Sequence, residues 1–162
     1  MKSRKLSIYQ ILPRLFHDKK ESGKTDATIE EKGCGKLSDL NPQRLHQIRS
    51  LGITHIWLTG LIRHASGTSY DELGIHASPP AIMKGRAGSP YAIRDYYDLS
   101  PDLADQPEHR FEEFKDLVSR LEDAKLGLFI DFVPNHVSRD YCSLQKPDSK
   151  EELGQNDDHE VF

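Results

Sequence analysis

Two stretches of this chain gather side chains able to do chemistry. The first is Asp131-Phe-Val-Pro-Asn-His136, which leaves a short apolar run. It brings a carboxylate, an amide and an imidazole close together. Side chains alternate along a strand, so Asp131 and Val133 share one face and Phe132 takes the other. A charged Asp in an apolar strand needs partners wherever it is buried. Asn135 and His136, just beyond, offer an amide oxygen suited to a hard cation and imidazole donors suited to a polar ligand. A strand end closed by an Asn turn, with an exposed His, explains the same residues without a function. The second stretch is Ser89-Pro-Tyr-Ala-Ile-Arg-Asp-Tyr-Tyr97. Tyr91, Tyr96 and Tyr97, with an Arg94-Asp95 pair among them, suit a sugar platform. Aromatic faces would cover the apolar face of a pyranose, and the polar neighbours would take its hydroxyls. A loop pinned by a small satellite cluster is the competing reading.

Other candidates carry less. His55 sits inside an apolar run and reads as a satisfied core residue. His17, His46, His64, His76, His109 and His159 form no HExxH or other metal spacing. Gly33-Cys-Gly35 lacks the spacing and helix start of a phosphate loop, and no GxSxG elbow occurs. The two cysteines, Cys34 and Cys142, make no CxxC pair, which suits a reducing compartment or no redox role.

The elements that must position these residues follow from periodicity. Lys5 to Leu12 reads as a strand stopped by Pro13. Residues 17–36 are polar and read as a long loop. Asn41-Pro42 is an N-cap followed by Pro at the first helical position, with Leu45, Ile48 and Leu51 as the apolar face and Gly52 as the terminator. Ile53 to Leu58 is a second strand. Gly60, Gly67, Gly74, Pro79, Pro80, Gly85, Gly88 and Pro90 mark Thr59 to Gln106 as irregular. Pro107 opens the strongest helix, with Phe111, Phe114, Leu117, Val118 and Leu121 as one stripe and Gly127 at its end. Leu128 to Val133 is the third strand. Strands alternating with helices predict an α/β chain with parallel strands and crossover helices. Long loops after the strands put elaboration on the C-terminal face, where such enzymes bind ligands.

Composition sets bounds. The 162 residues predict one domain, and a complete eight-stranded βα barrel needs roughly 250. Apolar residues make up 36% and charged residues 30%, which allows only a thin core. The net charge of −4 is no footprint for nucleic acid. Much of the acid lies between Asp148 and Glu160, which reads as a solvated or disordered tail. No run of apolar residues is long enough for a membrane span, and no secretory signal is seen, so a cytoplasmic location is expected.

Taken together, five stretches resemble the start of the α-amylase family of glycoside hydrolases. They are Ile8-Tyr-Gln-Ile-Leu-Pro-Arg14, Gly35-Lys-Leu-Ser-Asp-Leu40, Leu51-Gly-Ile-Thr-His-Ile-Trp-Leu58, Tyr91-Ala-Ile-Arg-Asp-Tyr96 and Asp131-Phe-Val-Pro-Asn-His136. They occur in the family's order across most of the chain. The resemblance implies three N-terminal βα units of a (β/α)8 TIM barrel, cut at the start of the insertion after the third strand. Residues 1–136 would be barrel, and 137–162 the start of the inserted domain or an acidic tail. It implies an α-linked glucan or oligosaccharide as substrate. Tyr91 would stack on the sugar beside the cleaved bond, and His136 would bind that sugar's hydroxyls. Asp131 and Asp95 would be supporting carboxylates, and Asn135 a calcium ligand in members that keep the metal.

A retaining mechanism needs a carboxylate nucleophile and a carboxylic acid about 5–5.5 Å apart. In this family those groups follow later strands, so the 162 residues alone are expected to be inactive. An open sheet with bare edges is also expected to be poorly stable by itself. Two other readings stay open. One is a truncated remnant with at most weak sugar binding; the other is an unrelated open α/β ligand-binding domain. The substrate and the oligomeric state are not legible.

Overall fold

The structure, a computed structural model, describes residues 5–16 and 24–153. His17, His159 and the end of the acidic stretch lie outside the described residues. The elements run β1 (Ile8–Ile11), α1 (Ile29–Lys32), α2 (Pro42–Ser50), β2 (His55–Leu58), β3 (Ile62–His64), β4 (Ile93–Leu99), α3 (Arg110–Asp123) and β5 (Gly127–Ile130).

β1, β2 and β5 form a parallel sheet in that order, with Ile8 beside His55 beside Gly127 and Ile11 beside Leu58 beside Ile130. Parallel neighbours need crossovers, and the segments holding α2 and α3 supply them. The predicted order of strand, helix, strand, helix, strand is therefore present. The helix of a third βα unit is not among the described residues.

One face of the sheet carries the core. Ile11, Ile56 and Leu58 are buried against Leu45 and Ile48 of α2 and against Leu117 and Leu121 of α3. Leu37, Leu40, Leu61, Leu103 and Leu126 complete this cluster. Alternation sends Ile8, His55, Trp57 and Phe129 to the other face, which no helix covers. Ile8, Trp57 and Phe129 are exposed there, and His55 stacks on Phe129 with centroids 5.0 Å apart. The predicted core role of His55 thus becomes a half-buried place on the open face.

Local rules account for the helix ends. Asn41 caps α2 by accepting from the Arg44 amide at 3.0 Å, with Pro42 next in line. Leu51 departs from expectation: it is 74% exposed and ends the helix instead of lining its face. Six residues after Leu45, at 3.6 residues per turn, it points about 120° away from that side chain. Gly52, with φ of 86°, does fill the terminating position.

α3 begins three residues later than Pro107 suggests, because Pro107–His109 forms a 3₁₀ turn. Glu113 reaches back from the helix to accept the Asp105 and Gln106 amides at 2.9 and 2.7 Å. The helix is ended not by Gly127 but by Lys125, which takes φ of 56°. Gly127 belongs to β5, and a Cβ there would run into the His55 ring.

The segment read as irregular, Thr59 to Gln106, contains β3 and β4, which pair antiparallel with register shifts. Glycine and proline density hid them, and so did the charges they carry. Likewise the loop over residues 17–36 includes α1, held by a capping box between Thr28 and Glu31. The third strand is shorter than predicted: its ladder stops at Ile130, before Asp131.

Candidate functional site

Asp131–His136 runs off the end of β5, while Tyr91 lies just before β4. These two stretches meet. The Tyr96 hydroxyl donates to the Val133 carbonyl, and the His136 carbonyl lies 3.4 Å from the same hydroxyl. The Tyr96 ring packs against Phe132 and Tyr141 at 5.6 and 5.9 Å. Farther along, the Ser138 amide donates to the Ile93 carbonyl at 2.7 Å, and the Cys142 amide to the Arg94 carbonyl at 3.0 Å. The chain leaving β5 is therefore laid along β4.

The predicted residues divide by surroundings. Tyr91 is 47% exposed, as a stacking platform must be. Tyr96 instead commits its hydroxyl to backbone carbonyls, so the three tyrosines do not form one platform. His136 is exposed, and its Nδ1 lies 2.9 Å from Asn135 Oδ1. An amide oxygen only accepts, so this contact places the proton on Nδ1 and leaves Nε2 of the neutral ring to accept a ligand hydroxyl. Asp131 accepts from the Trp57 indole across the sheet, while its Oδ2 is buried with no hydrogen-bond partner.

Arg94 and Asp95 are not a pair. They point to opposite sides of β4. Arg94 Nε lies 3.2 Å from Asp140, and its guanidinium also donates to the His76 carbonyl. Burial pushes the Asp140 carboxyl up, but the hydrogen bond from Ser138, the nearby Ser78 hydroxyl and the charge of Arg94 outweigh it and hold the group below its ordinary range.

Asp95 has no exposed surface. It accepts from Arg63 at 2.9 Å and from the amides of Tyr97 and Leu144 at 2.8 and 2.7 Å. Arg63 continues to Asp98 at 3.0 Å, and Asp98 to Arg110 at 2.6 Å. These two cations and two carboxylates make a buried, charge-balanced ladder from the start of α3 to the segment after β5. A carboxylate so enclosed cannot contact a sugar.

A third buried acid, Asp102, takes Arg14 and the Tyr70 hydroxyl, the latter at 2.8 Å. Burial, and after it the Asp102 charge, raises Tyr70 far above its usual range. His64 is buried nearby on β3, and desolvation lowers its pKa. Sequence reading missed Arg63, Asp98, Arg110, Asp102 and Asp140. The available signal was the charge placed within a strand bounded by apolar residues, Asp95 and Asp98 between Ile93 and Leu99. A cavity of about 260 Å³ bordered by Arg14, Thr28, Lys32, Thr68 and Arg86 contains none of the predicted site residues.

The donors do not make a calcium shell. A hard cation of that size takes six to eight oxygens. Asn135 brings one amide oxygen, already in contact with His136. No group of three histidine, cysteine or acidic side chains converges among the described residues. Nor is any helix among them long and apolar enough to cross a membrane.

A parallel sheet with crossover helices on one face and long loops after its strands is an α/β unit. The model of the α-amylase catalytic domain matches residues 10–159, and the chain belongs to that family, which makes the unit a piece of a TIM barrel. Maltase A2 of Drosophila melanogaster is 25% identical over 146 residues, which is 90% of this chain and 19% of that protein. The rat amino acid transporter heavy chain SLC3A1 is 29% identical over 81% of this chain and 14% of its own length. Among solved structures, the noncanonic maltogenic α-amylase AmyB of Thermotoga neapolitana superimposes with a TM-score of 0.55 at 25% identity. That match covers 84% of this chain and 24% of AmyB. The chain thus spans about a fifth of the curated relatives it matches.

Proposed function

We propose that this chain builds one wall of the substrate cleft of an α-glucan-active glycoside hydrolase or transglycosylase. Tyr91 stacks on the sugar beside the cleaved bond, and His136 Nε2 accepts one of its hydroxyls. Asp131 is a supporting carboxylate. Residues 1–136 are barrel, and those from 137 enter the inserted domain. The observation that carries this reading is the joining of the two sugar-type stretches through Tyr96, Val133 and His136.

The bond-cleaving carboxylates come from other strands of the barrel. Asp95, Asp98 and Asp102 are buried in ion pairs, and Asp131 is engaged by Trp57. None of them is placed as a free nucleophile or acid of the spacing a retaining mechanism needs.

The test is reducing-sugar release from soluble starch and maltoheptaose. The 162-residue chain is expected to release none, while a chain extended through the remaining strands of the barrel is expected to release sugar. Tyr91→Ala in that extended chain is expected to lower maltoheptaose affinity about tenfold, the loss of one aromatic platform. Activity of the 162 residues alone, surviving a check for host contamination, would overturn the assignment of the acids.

A further inference from the structure

Four consecutive residues of β4 grip the chain that leaves β5. The carbonyls of Ile93 and Arg94 accept the Ser138 and Cys142 amides. The Asp95 carboxylate accepts the Leu144 amide at 2.7 Å. Arg63, paired with Asp95, also donates to the Cys142 carbonyl at 2.7 Å. On the other side of Asn135-His136, the Tyr96 hydroxyl holds the Val133 carbonyl. His136 is thus bracketed by contacts at Val133 and at Ser138.

Between those brackets the backbone has no strand ladder and no helix. His136 is exposed, so packing does not fix it either. A ligand-binding side chain needs a placement good to roughly 0.5 Å, and only its supporting contacts can supply that on a loop. Here those contacts all come from β4 and its partner Arg63. The same strand follows directly from Tyr91, so it sets the distance between the stacking face and the imidazole.

We infer that Tyr96 and Asp95 are positioning residues for sugar recognition by His136. The inference rests on the sugar-cleft reading above. Neither residue touches the sugar. Tyr96 fixes the peptide entering the His136 turn, and Asp95 with Arg63 anchors the chain farther on, at Cys142 and Leu144, beyond the Ser138 amide that the Ile93 carbonyl holds.

Calorimetric titration with maltoheptaose of the chain extended through the remaining barrel strands tests this. Tyr96→Phe is the primary variant, because it deletes one oxygen and keeps the ring against Phe132 and Tyr141. It is expected to weaken binding about fivefold, the size of one hydrogen bond, with the thermal midpoint nearly unchanged. In a His136→Ala background, where Tyr91 still binds, the same change is expected to cost nothing further, since the residue it acts through is gone. Asp95→Asn is expected to weaken binding and to speed tryptic cleavage after Arg139 and Lys150. Unchanged affinity in Tyr96→Phe, or an equal loss with and without His136, overturns the inference. A folded wild-type protein that binds no maltoheptaose overturns the sugar reading itself, and the inference with it.

Discussion

In the parallel sheet of β1, β2 and β5, leucine and isoleucine fill one face, and the other leaves Ile8, Trp57 and Phe129 in solvent. In the hairpin of β3 and β4, by contrast, Arg63, Asp95, Asp98 and the adjoining Arg110 are all at most 5% exposed in their side chains. One region exposes apolar surface, and the other buries charge. Their needs differ accordingly. The sheet still has a face that further strands of a barrel would cover, because a barrel interior is packed with side chains from every strand. The hairpin completes its own polar contacts. It therefore holds the loop geometry with no help from the open face.

The contrast can be broken most sharply at Arg63. Arg63→Ala strands Asp95 and half of Asp98 without their cation. Removing one partner of a buried pair costs about 3–5 kcal/mol. Urea unfolding followed by circular dichroism is the measurement. A cost below about 1 kcal/mol would mean that water or backbone amides replace the guanidinium.

Two glycines compare the regions directly. A Cβ at Gly88 would strike the Ala65 carbonyl, and its φ is 67°. A Cβ at Gly127 would strike only the His55 ring, on the open face. Backbone cannot yield as a side chain can, so Gly88→Ala is expected to cost about 2–3 kcal/mol and Gly127→Ala about 1 kcal/mol. Thermal midpoints of the two variants decide it. Equal losses would show that His55 is as rigidly held as the hairpin backbone.

Acid should act on the hairpin first. His64 has a folded-state pKa below its unfolded value, so protonation favours the unfolded chain. Its contribution is complete above about pH 6.5 and is lost as pH falls from there through the folded pKa. Arg14 and Asp102 act on it with opposite signs, and burial outweighs both. Urea midpoints at about pH 7 and about pH 5 should therefore differ in wild type and converge in His64→Gln. A slope that survives the substitution would place the acid sensitivity elsewhere.

The legible parts were those governed by local chemistry. Asn41-Pro42, the Leu117 and Leu121 stripe and the apolar strands each announce themselves within a few residues. Tyr91 and His136 stood out because aromatic and imidazole groups at a strand end suggest a ligand. The hairpin did not announce itself. Its strands mix charged residues among apolar ones without a clean period, and its ion partners are far apart in sequence: Arg63 and Asp95, Arg14 and Asp102, Arg94 and Asp140. Such pairs become visible only when the chain is folded. Leu51 shows the opposite error, an apolar residue at plausible spacing whose helix ends before it can be used.

The smallest expected effect lies on the open face. Ile8 is 46% exposed at the edge of the sheet, with no helix over it. Ile8→Thr keeps the β-branched shape that suits a strand and removes apolar surface that is already half in water. In the 162-residue chain the cost is expected to stay under about 0.5 kcal/mol, as for other surface changes. In a chain extended through the remaining barrel strands the same substitution would put a hydroxyl into a packed barrel interior, and the cost should rise to about 1–3 kcal/mol. The difference between the two backgrounds measures how much of this face the remaining strands bury. Equal, small costs in both would mean that the face stays open, and that the chain does not close into a barrel.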